Sequence, residues 1–259
     1  MRKIYKSKIY FLIILAALVM MNRAYANAIP IYKLNNFIGP HGIGSPTVTI
    51  DFDQVPYQVG KILSSGVTMF GHNLNGDVVS IGQLNYDIPG CIDNLSNTQP
   101  CQMMVDNTFS TTSGFNYLGL NDPSNFNQFI GGQDIFQIRF SEQSGVNAFG
   151  MFLISSDRLS AGDVILDVIG NSFLDSFDYG GIIENILDDG GYVYFLGVLG
   201  ASEAITSISL RFSDSASGAF FYNVDDILVE TSLPESSSLL LSFVGLLSLL
   251  TVSRFQNKA

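Results

Sequence analysis

Two adjacent carboxylates, Asp225 and Asp226, interrupt an otherwise apolar stretch, Phe221-Tyr222-Asn223-Val224-Asp225-Asp226-Ile227. Neighbouring side chains of a strand point to opposite faces, so at most one of the two is expected to face a core. A buried unpaired carboxylate is costly, and a cation removes that cost. Cys91 and Cys101 are the only cysteines, with nine residues between them in a Pro- and Asn-rich stretch. In an oxidising compartment they are expected to form a disulfide closing that loop, worth roughly 2–3 kcal/mol on the loop-entropy argument. Zinc is not expected, because the only histidines, His41 and His72, have no ligand spacing with the cysteines. Both histidines sit in turn contexts, Pro40-His41-Gly42 and Gly71-His72-Asn73. The chain has no Gly-x-Ser-x-Gly elbow, no His-Glu-x-x-His and no phosphate-binding Gly loop, so it is expected not to be an enzyme. A carboxylate pair for glycoside hydrolysis stays open as the alternative, since 22 acids lie between residues 27 and 233.

Rings offer a second kind of chemistry. Tyr86, Phe109, Phe115, Tyr117, Phe126 and Phe129 fall in or near residues 85–133, a section rich in Asn, Gly, Ser, Gln and Pro. Exposed, they would serve as stacking platforms for sugars; buried, they would fill the core beneath loops. The weak periodicity of this section predicts long loops with short strands, and long loops on a rigid scaffold are where binding sites concentrate.

The elements that must position these residues are strands. The 259-residue chain holds 20 Phe, 11 Tyr and 25 Gly, and only 14% of its residues are charged, a composition suited to pleated surfaces and turns. Val48, Ile50 and Phe52 alternate along one face, as do Phe136, Ile138 and Phe140, and Ile208, Leu210 and Phe212. Further strands are expected at 146–154, 164–169, 192–198 and 220–230, separated by clusters such as Asp188-Asp189-Gly190-Gly191. One helical turn is expected at Ile182 to Leu187. Many short strands of this spacing predict an all-β antiparallel β-sandwich or jelly roll. Residues 27–233 carry five Lys and Arg against 22 Asp and Glu, a net charge of −17. So acidic a body repels phosphate backbones, which argues against nucleic acid as a partner, and suits divalent cations such as calcium.

Both ends read as addresses. A basic stretch with Arg2, Lys3, Lys6 and Lys8 precedes the eleven-residue apolar run Phe11 to Met21, and Ala24-Tyr25-Ala26 follows as an A-x-A cleavage site. This predicts a secretory signal peptide cut after Ala26, with the secretion machinery as a partner. At the other end, the 14-residue uncharged run Leu239 to Val252 precedes Arg254 and Lys258. As a helix it would span about 21 Å, a short transmembrane helix whose basic end stays cytoplasmic.

Pro234-Glu235-Ser236, the short apolar run and the basic end with Arg254 together resemble the PEP-CTERM sorting signal, though the third motif residue of that family is Pro. The resemblance covers about 26 residues. It implies an exosortase-type transpeptidase as partner, processing the tail near Pro234-Glu235. Ile50-Asp51-Phe52-Asp53, Ser65 to Phe70, Val146 to Met151 and Phe221 to Ile227 resemble, in that order, the lectin-like β-sandwich domains that sit upstream of such tails. That likeness implies a structural calcium ion held by Asp53 with Asp225 or Asp226, with Asp51 behind them.

The expected organisation is therefore a signal peptide (1–26), a leader (27–46), a β-sandwich domain (47–232) and a PEP-CTERM-like sorting and anchor segment (233–259). A signal helix and a short membrane helix flank the domain. The expected route is export across the inner membrane, a membrane-anchored intermediate, then the cell surface or the extracellular space. The expected role is non-enzymatic: binding of exopolysaccharide, or structure in the envelope or matrix. A secreted glycan-active hydrolase is the alternative.

Overall fold

The computed structural model describes residues 28–40, 42–87, 102–107, 110–120, 135–140, 145–200, 203–212 and 222–231. Alternating apolar residues make these segments strands almost throughout. They are β1 (Ile29–Ile31), β2 (Val48–Ile50), β3 (Ile62–Leu63), β4 (Val67–Asn73), β5 (Val78–Asp87), β6 (Met103–Asp106), β7 (Tyr117–Leu120) and β8 (Ile135–Phe140). There follow β9 (Val146–Ser155), β10 (Val164–Gly170), β11 (Leu174–Asp178), β12 (Asn185–Ile186), β13 (Tyr192–Leu199), β14 (Ile205–Phe212) and β15 (Tyr222–Thr231). The helical turn α1 (Leu34–Phe37) lies between β1 and β2. Where a helical turn was expected at 182–187, β12 pairs Asn185 with Val193 and Ile186 with Tyr192 instead.

The sandwich or jelly-roll expectation is overturned. Seven antiparallel strands close into a barrel in the order β9-β14-β8-β5-β4-β2-β15, and β15 returns to β9. The seam between β15 and β2 pairs Ile227 with Ile50 and Val229 with Val48. On the other side, β14 meets β9 through Ile205 and Val146. Remaining strands extend this ring: β10 and β11 from β14, β13 with β1 and β12 from β9, and β7, β6 and β3 from β15. Period-2 alternation tells which face of a strand is buried but not which strand lies at its edge, so sandwich and barrel read alike in sequence. Closure is favoured because it leaves no unpaired edge among the ring strands. Among the described residues no helix is long and apolar enough to cross a membrane. The flanking helices expected within 1–26 and 233–259 lie outside the described residues.

The interior is filled from all sides by Ile50, Phe52, Met69, Leu84, Phe136, Ile138, Phe149, Leu210 and Ile227. Each such side chain contributes roughly 1.5–3 kcal/mol by leaving water. A second apolar cluster lies outside the ring. Phe37 of α1 stacks edge-on against Phe195 at 5.3 Å between centroids, and Phe152 meets Phe195 at 5.2 Å. Covered on both faces, β9 and β15 are buried along most of their length, which makes them a rigid floor for the site that follows.

Candidate functional site

Tyr222 to Ile227 cannot keep strict alternation, because Val224 and Ile227 are both fully buried core residues three positions apart. A β-bulge resolves this. Asp225 pairs with Phe152 and Ile227 with Met151, so Asp226 is the extra residue. It takes a positive φ of 38°, the region that Asp tolerates better than most residues. The expectation that the two carboxylates point to opposite faces is thereby corrected: the bulge turns both to the same loop.

That loop is residues 110–116, and carboxylates hold it along its length. Thr112 donates its N–H and its hydroxyl to Asp225 Oδ2 at 2.7 and 2.6 Å, and the hydroxyl oxygen also lies 3.3 Å from Asp226 Oδ2. Ser113 Oγ donates to Asp226 Oδ1 at 2.8 Å. Farther along, the N–H groups of Phe115 and Asn116 donate to Asp53, at 2.9 Å to Oδ2 and 3.0 Å to Oδ1. Asn116 Nδ2 reaches the carbonyl of Phe52 at 3.0 Å. At the loop's start, Ser110 N–H donates to Asp189 Oδ2 at 3.1 Å. Gly114 is required here: its φ is +60°, and a Cβ on it would stand 1.4 Å from Asp53 Oδ2.

No cation offsets this charge among the hydrogen bonds and ion pairs of the described loop. Burial, then repulsion from Asp226, pushes Asp225 up to about 7, against the donors of Thr112 and Ser113. Burial raises Asp226 as well, with Ser113 and Thr112 opposing and Asp51 and Asp53 adding repulsion. Asp51 is raised by burial despite the donor Gln54, and its Oδ1 is buried without a hydrogen-bond partner. Partial burial also pushes Asp189 upward, but the donors Gly191 and Ser110 outweigh it and leave that carboxyl below its ordinary range.

The structure therefore brings Asp53, Asp225 and Asp226 together around one loop, with Asp51 coupled to them. Their oxygens are the hard ligands calcium takes. In this arrangement, however, those oxygens are engaged by N–H and O–H donors. Among the described residues, no three acids, histidines or cysteines converge at metal-ligand spacing. Thr112, Ser113, Asn116 and Asp189 were not foreseen as site residues. The run Ser110-Thr111-Thr112-Ser113-Gly114 was the available signal, since it concentrates short donors next to a glycine.

Above the clamped loop lies a groove of about 540 Å³, lined among others by Asn107, Thr111, Phe115, Asn185, Ile186 and Asp188. Phe115 is 80% exposed at its rim, and Ile186 is exposed too. The other rings divide. Tyr117 is buried, with its hydroxyl 3.2 Å from Asp106 Oδ2, and Tyr86 donates to the carbonyl of Leu63 at 2.9 Å. Phe109, Phe126 and Phe129 lie outside the described residues, as do His41, Cys91, Cys101, Ala24, Ala26, Pro234, Glu235 and Arg254. His72 sits within β4, opposite Thr49 and Val78. Compared with models of known protein families and with curated proteins, the chain matches none.

Proposed function

We propose that this chain is an exported, surface-anchored, non-enzymatic protein that binds extracellular polysaccharide through the Phe115 groove. The observation that carries the reading is the exposed Phe115 ring on a loop fixed by Asp53, Asp189, Asp225 and Asp226. A large ring held in water by a rigid mount is a pre-organised stacking platform, because its ordering cost is met on folding and not on binding. Around it stand the amides of Asn107 and Asn185, the hydroxyls of Ser110 and Thr111, and the Asp188 carboxylate, the groups that recognise ring hydroxyls. One carboxylate lines this groove among the described residues, whereas glycoside hydrolysis takes a pair. This favours binding over cleavage.

The terminal segments extend the proposal. The tail with Pro234, Glu235 and Arg254 would be the exosortase-type substrate, and the membrane helix that follows would hold the intermediate. The leader ending at Ala26 would send the chain through the secretion machinery. Calcium is proposed as a structural ion beside Asp53, Asp225 and Asp226, supported by the oxygen-only donor set and the uncompensated charge. The test of function is a glycan array followed by affinity electrophoresis of the full chain and of Phe115→Ala. Binding to a polysaccharide that Phe115→Ala weakens at least tenfold, at unchanged melting temperature, supports the reading. Equal binding by the two proteins, or release of reducing sugar from a bound glycan, overturns it.

A further inference from the structure

A second groove, of opposite charge, lies on the outer face of the barrel. Register aligns Thr68 with Gln83, Gln83 with Arg139, Arg139 with Ser207, and Ser207 with Ile169. The neighbours of this row along the strands, Met69, Leu84, Ile138, Ile208 and Val168, point into the core. The row therefore stands outward across β4, β5, β8, β14 and β10. A groove of about 750 Å³ follows it, lined also by Ser80, Gln137, Asn171 and Thr206. Gly82 shapes its floor: it adjoins Ile81, the extra residue of a β-bulge in β5 opposite Met69 and Phe70, and a Cβ on it would stand 2.1 Å from the carbonyl oxygen of Arg139.

Among the described residues the lining contains one cation, Arg139, and no Asp or Glu, in a body whose net charge is −17. Arg139 Nε donates to Gln137 Oε1 at 3.2 Å. The ion pairs among the described residues are Lys33–Glu184 and Arg211–Asp167, so no described carboxylate takes the terminal nitrogens of Arg139. Next to it, Ser207 is 7% exposed, and its Oγ has no hydrogen-bond partner. A buried hydroxyl left unsatisfied beside a guanidinium that no described carboxylate pairs is an arrangement completed by a ligand. A guanidinium fork matches a planar carboxylate, while the side-chain amides and hydroxyls around it match ring hydroxyls.

We infer that this groove binds a carboxylate-bearing saccharide, a uronate unit, with Arg139 on its carboxylate and Gln83, Gln137 and Ser207 on its hydroxyls. The site is separate from the Phe115 groove and stands or falls independently of it. Among the described residues of the lining, apolar anchors of the kind a peptide would use are confined to Phe140 and Ile169.

The experiment is isothermal titration calorimetry of the full chain with trigalacturonate, with its methyl ester and with sodium sulfate. Trigalacturonate is expected to bind, more weakly as NaCl rises. Esterification, and separately Arg139→Gln, should each weaken binding about tenfold or more, the scale of a hydrogen bond to a charged group. Arg139 is exposed, so its substitution is compatible with folding. Gln83→Ala supplies a second variant, expected to weaken binding severalfold. Absence of trigalacturonate binding, an ester that binds as well as the acid, or unchanged affinity in both variants overturns the inference. Sulfate competing at equal concentration overturns its saccharide part.

Discussion

Raising the pH from 5 to 8 should weaken the fold, and Asp225 is the main cause. In the unfolded chain this carboxyl loses its proton near 3.8, and in the folded protein it does so only at about 7, because it is buried beside Asp226. Between these values the folded state binds more protons. The stability that Asp225 contributes is therefore fully present below about pH 4, falls as the pH rises, and is lost above about 7. At about 1.36 kcal/mol per unit, the roughly two units between pH 5 and about 7 amount to about 2.7 kcal/mol over this range, a ceiling because the pair shares its protons. The raised Asp226 acts in the same direction. With a urea m-value of about 2–3 kcal/mol per molar, the midpoint should fall by roughly 1 M. The assay is urea unfolding followed by circular dichroism at pH 5, 6, 7 and 8 with a chelator present. Repulsion over the acidic surface gives a trend of the same sign, but about 1 M salt, with a Debye length near 3 Å, suppresses it while the buried contribution persists. Asp225→Asn supplies the internal control and should flatten the profile. Parallel profiles for the two proteins in high salt, or a wild-type midpoint that rises from pH 5 to 8, would refute the argument.

Gly114→Ala should lower the melting temperature, since it combines a backbone strain of about 1–2 kcal/mol with a Cβ placed on Asp53 Oδ2; thermal unfolding measures it, and an unchanged melting point contradicts the clamp. Calcium should raise the melting temperature of the wild type and not that of Asp225→Ala. No calcium-dependent shift in the wild type disposes of the proposed ion. Protein recovered from an oxidising compartment, denatured without reductant, should show no free thiol; a count of two by thiol titration removes the Cys91–Cys101 disulfide.

The parts of the fold legible in sequence are those that period 2 encodes. Phe136, Ile138 and Phe140 of β8, and Val48 and Ile50 of β2, read as one-face strands and are buried as such. Closure of the ring was not legible, because it depends on which edges meet: β9 accepts β13, β14 and β15, and nothing in Val146–Ser155 marks three partners. The residues Asp53, Asp225 and Asp226 were legible as a group, but their partners were not. The bulge at Asp226 does leave a trace, since two core residues three apart, Val224 and Ile227, break the strand period. The outer groove left less, because Thr68, Gln83, Arg139 and Ser207 belong to four strands and only the register lines them up.

The seam between β2 and β15 joins parts of the chain that are far apart in sequence. Thr47 Oγ1 lies 3.1 Å from the carbonyl of Val229 and accepts from Thr231 N–H at 2.8 Å, across 182 and 184 residues of chain. β15, the last strand among the described residues, pairs with β2, β7 and β9 at once, so without it three others have open edges. A chain halted anywhere before residue 222 would expose those edges to neighbouring chains, and so a truncated form should aggregate where the complete one stays dispersed.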